Sequence, residues 1–234
     1  MARNRKKTSS RRDEIDISLV VKKYHIAKIR HTEQPELYDA FAKELMESDN
    51  FSPSPMFQET FAFGKKIFWD STKKSEEFRK VYIIWPFLFE VIKSHPKLKI
   101  WPEIPIQFTD QKVVERIPDY IVTKEKEVPE PPYCVIIEAK KEDFEQGWGQ
   151  ALEVMCMTQN LNKQSSSHKM PVYGVVTTGK EWELGKLQEQ QFLVYPPRTG
   201  INVFESDENA KVLLSLLHTI FKNCEKNMER QTTN

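Results

Sequence analysis

The chain is short of the residues that build disulfide frameworks and zinc sites, and it has no long apolar run. Its three cysteines lack C-x-x-C spacing, and its five histidines are scattered. This spacing argues against a disulfide scaffold or a zinc site and favours cysteines that fill buried space. No apolar run approaches the about 20 residues of a transmembrane helix, and no apolar segment follows the basic N-terminus as in a secretory signal. We therefore expect a cytoplasmic protein without a membrane partner.

The net charge of +1 conceals an asymmetry along the chain. Residues 1–12 hold six basic groups and no acid, which leaves 29 basic and 34 acidic residues in the remainder. We predict that this N-terminal arm is disordered, and that it either contacts phosphates of nucleic acid or only improves solubility. The rest of the chain is not basic, so its charge alone does not indicate DNA binding.

A length of 234 residues suits one sizeable domain with appendages. After the arm, residues 13–74 are predicted to form a helical extension and a connector. Apolar residues recur at helical spacing over residues 35–48, where Pro35 suits the first turn. Residues 50–72 combine an SPSP run with many aromatics and no steady period, which indicates an irregular connector. The main domain is expected over residues 75–228.

The main domain should open with a helix that begins after Ser75. Ser75 is a good N-cap residue, and Glu76 and Glu77 lie in the first turn, where the helix dipole favours acids. The apolar residues of this helix form one stripe on a helical wheel, and Pro86 must kink or interrupt it. The stripe consists of Phe78, Val81, Tyr82, Trp85, Phe89 and Ile92. Glu77 borders this stripe, whereas Glu76 and Glu90 lie well away from it.

The rest of the domain alternates between strands and helices. Residues 98–108 and 112–122 have the pattern of two antiparallel strands, and residues 133–140 that of a third. A helix should follow from Asp143, and then a strand, a tight glycine turn and a second strand over residues 171–187. A final amphipathic helix should close the domain. The predicted fold class is therefore α/β, with a mixed sheet flanked by helices.

One stretch, residues 117–150, carries acidic groups that could hold a metal ion. Asp119 follows Pro118 in an apolar run. Glu138 and Lys140 lie two apart in a strand, so they point to one face. Mg²⁺ is commonly held by one or two carboxylates with water and substrate phosphate, and an adjacent lysine can position the attacking water. The alternative is structural, with Asp119 as a turn residue and Glu138 and Lys140 as an ion pair at a strand end.

Together these residues resemble the signature of the PD-(D/E)xK nuclease superfamily. The P-D piece is residues 118–119 and the E-A-K piece is residues 138–140. The resemblance extends to Gln150 on the following helix and to the strand VYGVVTT after it, and it spans residues 75–187. In detail the stretch is most similar to the nuclease domain of type I restriction subunits and to small stand-alone relatives of that domain.

The resemblance implies an αβββαβ core and Mg²⁺-dependent hydrolysis of phosphodiester bonds in DNA, in defence against or processing of foreign DNA. Asp119, Glu138 and the backbone carbonyl of Ala139 would hold Mg²⁺, with Mn²⁺ as a substitute. Lys140 would position the water, and Gln150 would orient Lys140 or contact phosphate.

Members of the superfamily often carry a further glutamate on the first helix, facing the metal. We favour Glu77 for this role and as a further metal ligand, because it borders the apolar stripe. Glu76 and Glu90 stay open as alternatives for this role. Glu77 could instead be an ordinary first-turn acid, and Gln150 could be a solvated polar residue.

A second motif is rejected. Residues 174–180 spell GxxxxGK, the first seven positions of a P-loop. Glu181 stands where Mg²⁺ needs a hydroxyl, and the following residues alternate like a strand, so no nucleotide cofactor is expected. The expected partner is DNA, with a homodimer left open. The alternative function is a catalytically idle nucleic-acid-binding or assembly module with the same fold.

Overall fold

A mixed β-sheet with helices packed on both faces forms the centre of the molecule, as seen in a computed structural model. The structure describes residues 15–47, 51–71, 75–109, 113–140, 142–165, 170–197 and 199–232. The predicted N-terminal arm, residues 1–12, lies outside the described residues. The architecture confirms the predicted α/β class.

The main sheet is built from both local and distant parts of the chain. The strands are β1 (Ala27–Lys28), β2 (Leu98–Pro102), β3 (Ile106–Thr109), β4 (Val113–Arg116), β5 (Tyr120–Lys124), β6 (Tyr133–Ala139), β7 (Val172–Thr177), β8 (Glu181–Gln188), β9 (Gln191–Tyr195) and β10 (Ile201–Asn202). The sheet order is β1-β9-β8-β7-β6-β5-β2, with β10 paired to β8, whereas β3 and β4 form a separate ribbon. The pairs β6–β7 and β1–β9 are parallel, and the other pairs are antiparallel.

Helices cover the two faces of this sheet. They are α1 (Ile17–Lys23), α2 (Pro35–Met46), α3 (Pro55–Asp70), α4 (Glu76–Arg79), α5 (Trp85–Ile92), α6 (Phe144–Ser165) and α7 (Asp207–Thr232), with a π-helical segment (Lys80–Ile84) between α4 and α5. Helices α1 and α6 pack on one face, and α2, α3, α5 and α7 pack on the other. The order α4–α5, β2, β5, β6, α6, β7 reproduces the expected αβββαβ core.

The central strands β6 and β7 are buried along their whole length. Both are nearly continuous apolar runs, as expected for parallel strands with helices on both faces. Helix α6 connects them, and Trp148 packs so closely over Gly174 and Gly185 that a Cβ at either glycine would collide with the indole ring. The close approach explains why those two strand positions lack side chains.

Both predicted helix starts are capped by the expected side chains. The Oγ of Ser75 accepts a hydrogen bond from the N–H of Phe78 at 3.1 Å, and the Oδ1 of Asp143 accepts one from the N–H of Gln146 at 2.9 Å. The three cysteines are free and buried, as predicted. Among the described residues, no helix combines the length and the hydrophobicity that a membrane crossing requires.

The prediction of an irregular connector over residues 50–72 is wrong. Most of this stretch is helix α3, which begins with Pro55 and is capped by Ser54, whose Oγ accepts a hydrogen bond from Phe57 N–H. Its Phe57, Phe61 and Phe68 side chains are buried in the same apolar cluster as α5 and α7. The division of the chain into an extension and a main domain stays a prediction.

Each strand predicted over residues 98–108 and 112–122 is two strands. Pro105 and Pro118 cannot donate to a sheet ladder, and Glu103 turns the chain with a φ of 49°. The first half of the first stretch, β2, pairs with the second half of the second stretch, β5, in the main sheet. The two halves between them, β3 and β4, pair with each other as a separate ribbon.

The predicted apolar stripe of the first helix is not its buried face. The aliphatic and aromatic side chains that are buried are those of Ile83, Ile84, Phe87, Leu88 and Val91. The buried positions recur at α-helical spacing through the π-helical segment, so the helix has apolar residues on two faces and packing selects one of them. Pro86 provides no N–H for the carbonyl of Tyr82. That carbonyl lies instead against Gly64 of α3, where a Cβ would collide with it.

Candidate functional site

Asp119 lies at the start of β5 and reaches the end of the neighbouring strand β6. Its Oδ2 accepts a hydrogen bond from the backbone N–H of Ala139 at 2.8 Å, and its Oδ1 lies 3.2 Å from the Nζ of Lys80. The residue is 2 % exposed. A carboxylate this buried needs such partners, because leaving one unpaired costs several kcal/mol. Asp119 is therefore a fixed group at this strand end and more than a turn residue.

Glu138 and Lys140 flank Ala139 at the end of β6. The Nζ of Lys140 lies 3.5 Å from the Oε2 of Glu138, which confirms that the two side chains share a face. The backbone N–H of Lys140 donates to the carbonyl of Thr177 at 2.8 Å and extends the pairing with β7. Asp119, Glu138 and Lys140 thus lie together where β5 begins and β6 ends, and all three are buried.

Lys80, in the π-helical segment, is the centre of a cluster that the sequence analysis missed. Its Nζ lies 2.6 Å from Oε1 of Glu77, 2.9 Å from Oε1 of Glu103 and 3.2 Å from Oδ1 of Asp119. Burial alone would lower the pKa of Lys80, but the three carboxylates outweigh it and raise the pKa above its ordinary value. The spacing of Glu77 and Lys80, three residues apart on a helix, is the one sequence signal that could have indicated this pair.

Glu103 joins the cluster through an unusual backbone. Its φ of 49° lies in the left-handed region, which costs roughly 1–2 kcal/mol for a residue with a Cβ. Its N–H donates to the carbonyl of Asp119 at 3.1 Å. This conformation turns the chain after β2 and brings the Glu103 carboxylate to Lys80.

The structure also separates the three candidate glutamates of the first helix. Glu77 and Asp119 both contact the Nζ of Lys80. Glu90 is buried and accepts hydrogen bonds from the N–H and Oγ of Ser54 at 2.7 and 3.0 Å, so its role is to hold the start of α3. Glu76 lies within electrostatic range of Arg79. Of the three, Glu77 is the one that the structure places with Asp119.

Gln150 lies on α6, three residues after Gly147. Its Oε1 is buried and makes no hydrogen bond among the described residues, so the predicted contact with Lys140 is not made by this oxygen. One turn earlier, a Cβ at Gly147 would lie 3.0 Å from Cγ of Lys140. The glycine therefore lets α6 approach Lys140, and a Cβ at Gly149 would collide with the carbonyl of Ile15.

Arg79 adds a buried cation at the end of β7. Its Nη1 donates to the carbonyl of Thr178 at 2.7 Å, while its Nε is buried without a hydrogen-bond partner among the described residues. Burial lowers its pKa, and Glu142 and Glu76 oppose that effect. Three cations, Arg79, Lys80 and Lys140, thus lie around the ends of β6 and β7 and the start of β5.

An exposed row of rings lies beside the Lys80 cluster. This aromatic surface consists of Tyr82, Trp85 and Phe89, which are exposed and belong to the predicted apolar stripe, whereas Phe78 of the same stripe is partly buried against the core. Trp85 is 39 % exposed, and its ring stacks on Tyr120 with centroids 6.1 Å apart and planes 23° apart. Tyr120 directly follows Asp119. Burial raises the pKa of Tyr120 to about 12, with Lys80 opposing the shift.

The predicted acidic ligands Asp119, Glu138 and Glu77 do not come together as one group of three in the structure. Within the described ranges, no three or more His, Cys, Asp or Glu side chains are grouped so that they could hold a metal ion. The carboxylates of Glu77, Glu103 and Asp119 surround the Lys80 ammonium instead. The rejected GxxxxGK segment forms the end of β7 and a turn at Gly179, with φ of 80°, that leads into β8.

Comparison with models of known protein families finds no match, and comparison with curated proteins finds no match either. The resemblance to the PD-(D/E)xK superfamily therefore stays a prediction from the sequence.

Proposed function

We propose that the protein is a metal-dependent nuclease that hydrolyses phosphodiester bonds of DNA. The observation that supports this most is the hydrogen bond from Ala139 N–H to the Asp119 carboxylate. It joins the two halves of the signature, because Ala139 lies between Glu138 and Lys140. An ordinary ion pair at a strand end would not need a second buried carboxylate beside it.

The residues present fit Mg²⁺ held largely by water and substrate. Mg²⁺ usually keeps several waters and takes only one or two protein carboxylates, so Asp119, Glu138 and the carbonyl of Ala139 would form a sufficient set, with Glu77 near them. When bound, the ion would neutralise phosphate charge and make a water more acidic.

The side chains of the site would each have a separate task. Lys140 would donate a hydrogen bond to the attacking water or to a phosphate oxygen, and its pairing with Glu138 would hold it at the strand end. Lys80 would keep the Asp119 carboxylate oriented by holding the Oδ1 of Asp119. The Oε1 of Gln150, which has no partner among the described residues, suits a donor such as the Lys140 ammonium better than a phosphate, since a phosphate oxygen and an amide oxygen are both acceptors.

The aromatic surface supports DNA as the substrate. Exposed aromatic rings are a usual means of binding unpaired bases, because every base has a face that can stack. Trp85 connects this surface to the site through Tyr120. We infer that DNA with unpaired bases is the preferred form.

The test is cleavage of linear, nicked and branched DNA with Mg²⁺ or Mn²⁺, measured beside binding. Lys140→Ala should lower the cleavage rate by about 10²-fold or more with little effect on binding. Asp119→Asn should lose cleavage that high metal concentrations partly restore. The control Lys126→Ala removes a surface lysine paired with Glu130 and should cleave like the parent. Activity that survives Lys140→Ala unchanged would refute the proposal.

A second function, an idle nucleic-acid-binding module, is favoured by one specific observation. The Lys80 ammonium already lies among three carboxylates, as a built-in cation would in a site that needs no metal. In this case the parent protein would bind DNA without cutting it under any metal condition, and Lys140→Ala would bind equally well.

A further inference from the structure

Lys80 and the proposed metal ion would share one carboxylate. The Nζ of Lys80 lies 3.2 Å from Oδ1 of Asp119, and Asp119 is also a proposed ligand of the divalent ion. Two cations beside one carboxylate repel each other, and a separation of about 4 Å leaves considerable repulsion even in water. The position of the Lys80 ammonium therefore determines in part how tightly Asp119 can bind the ion.

The contacts of the Lys80 ammonium do not follow the burial of its partners. A buried carboxylate should hold an ammonium most closely, because little water screens it. Asp119 is the buried one of the three carboxylates, yet its contact is the longest. The Nζ of Lys80 lies 2.6 Å from Glu77 and 2.9 Å from Glu103, whose side chains are exposed. The ammonium is therefore shared with the two exposed glutamates and is not held by Asp119 alone.

The backbone of Glu103 is a second, independent observation. Its φ of 49° lies in the left-handed region, which glycine and asparagine adopt more readily than glutamate. Strained residues of this kind persist where the surrounding structure holds them, and they cluster at functional sites. The N–H of Glu103 donates to the carbonyl of Asp119 at 3.1 Å. The strained turn is thus fixed to Asp119, and it places on Lys80 a carboxylate that neither glycine nor asparagine would provide.

We propose that Glu103 is a positioning residue that raises the affinity of Asp119 for a divalent ion by holding the Lys80 ammonium away from it. When Asp119 takes the ion, Lys80 would keep Glu77 and Glu103 as partners. The ammonium would then not be left buried and unpaired, a state that strongly destabilises a protein. This inference rests on the proposed metal site, and it is independent of whether DNA is cleaved.

The experiment is calorimetric titration of the full chain with MnCl₂, without DNA. The binding that belongs to the site is the part that Asp119→Asn abolishes. Glu103→Gln keeps the length of the side chain and should weaken this binding about three- to tenfold, because Lys80 can then approach Asp119 more closely. The control Glu115→Gln removes an exposed charge that is bonded to Gln107, and at physiological ionic strength it should change the affinity less than about twofold. Lys80→Met should bind Mn²⁺ at least about tenfold more tightly than the parent.

The double variant of Glu103→Gln and Lys80→Met separates a positioning role from direct ligation. If Glu103 acts through Lys80, Glu103→Gln no longer weakens Mn²⁺ binding once Lys80 is absent. An equal or larger loss in that background would make Glu103 a ligand of the ion and would overturn the proposal. If Lys80→Met does not fold, the surface variants decide, and a Glu103→Gln protein that binds Mn²⁺ like Glu115→Gln would overturn the proposal.

The same titrations distinguish this inference from the proposed function. If the parent binds Mn²⁺ through Asp119 and Lys80→Met does not tighten the binding, the role of Glu103 is refuted and the metal-dependent nuclease still stands. If only Lys80→Met binds Mn²⁺, the competition between the two cations is confirmed and the metal-dependent reaction of the parent is refuted. Absence of Asp119-dependent binding in both proteins would refute both.

Discussion

Replacing Lys80 by methionine removes the cation that the buried Asp119 carboxylate faces. The two side chains are 6 % and 1 % exposed, with 3.2 Å between Nζ and Oδ1, and removing one partner of a buried pair costs about 3–5 kcal/mol. The carboxylates of Glu77 and Glu103 are 68 % and 54 % exposed, so they return to water at little cost. Asp119 also keeps its bond to Ala139. We therefore expect a loss of about 3 kcal/mol, the lower end of that range.

Thermal unfolding at neutral pH measures this loss. A loss of 1 kcal/mol lowers Tm by about 2–4 °C in a domain of this size, so Lys80→Met should melt about 6–12 °C below the parent. The control Lys65→Met breaks a surface pair with Asp207, which is 84 % exposed, and should change Tm by no more than about 3 °C. Adding Asp119→Asn to Lys80→Met should cost less than Asp119→Asn costs alone, because the two side chains interact.

The pH dependence of the same variant gives an independent check. The pKa of Lys80 is raised in the folded protein, so its contribution is complete below the unfolded value of about 10.4 and is lost as pH rises further. The deficit of Lys80→Met should therefore be equal at neutral and mildly alkaline pH and should shrink only above about pH 10.4. A Tm equal to that of Lys65→Met, or additive losses in the double variant, would refute the arrangement of carboxylates around Lys80.

Three further predictions concern other parts of the molecule. Trp85→Ala should weaken binding of single-stranded DNA by about 1–3 kcal/mol for the stacked base, while Trp69→Ala, which removes a more exposed indole that packs on Phe204, should leave it unchanged in the same fluorescence titration. Gly64→Ala should lower stability by about 1–3 kcal/mol in chemical denaturation, because the new Cβ would meet the backbone carbonyl of Tyr82. Deleting residues 2–12 should flatten the salt dependence of DNA binding by about 0.9 in log–log slope for each phosphate that the arm neutralises, and an unchanged slope would assign the arm to solubility.

The parts of the fold that follow from local signals were predicted from the sequence. Helix α2 has regular apolar spacing and Pro35 at its first position, and α6 begins where Asp143 caps it. The strands β6 and β7 are continuous apolar runs bounded by charge or glycine. In each case the signal lies in neighbouring residues: a helical spacing, a cap or a continuous apolar run. Such local patterns are sufficient to predict the element.

The errors came from features that depend on packing. Helix α3 was missed because apolar residues lie on several of its faces: Phe57 and Phe61 are buried, whereas Phe63 and Trp69 are exposed, so its sequence has no clear period. The apolar stripe was placed on the wrong face because this helix carries apolar residues at helical spacing on two faces, and spacing alone does not show which of the two packs on the core. The carbonyl of Tyr82 lies against Gly64 of α3, a contact between distant parts of the chain that no local pattern records.

The candidate site shows the same division. Asp119, Glu138 and Lys140 could be predicted because they form a short pattern in the sequence. Lys80 and Glu103 could not, because one comes from the π-helical segment and the other from a turn after β2. Their meeting at Asp119 is a consequence of tertiary structure alone.

The pairing of β1 with β9 has a consequence for how the chain folds as it is synthesised. Ala27 lies opposite Gln191, and the N–H of Ile29 donates to the carbonyl of Phe192 at 2.9 Å. Because synthesis proceeds from the N-terminus, β1 leaves the ribosome long before its partner exists, and helix α1 likewise precedes α6. Contacts between such distant residues form slowly. We therefore expect the first elements to be made to be among the last to dock, so that the edge of the sheet closes only when β9 is complete.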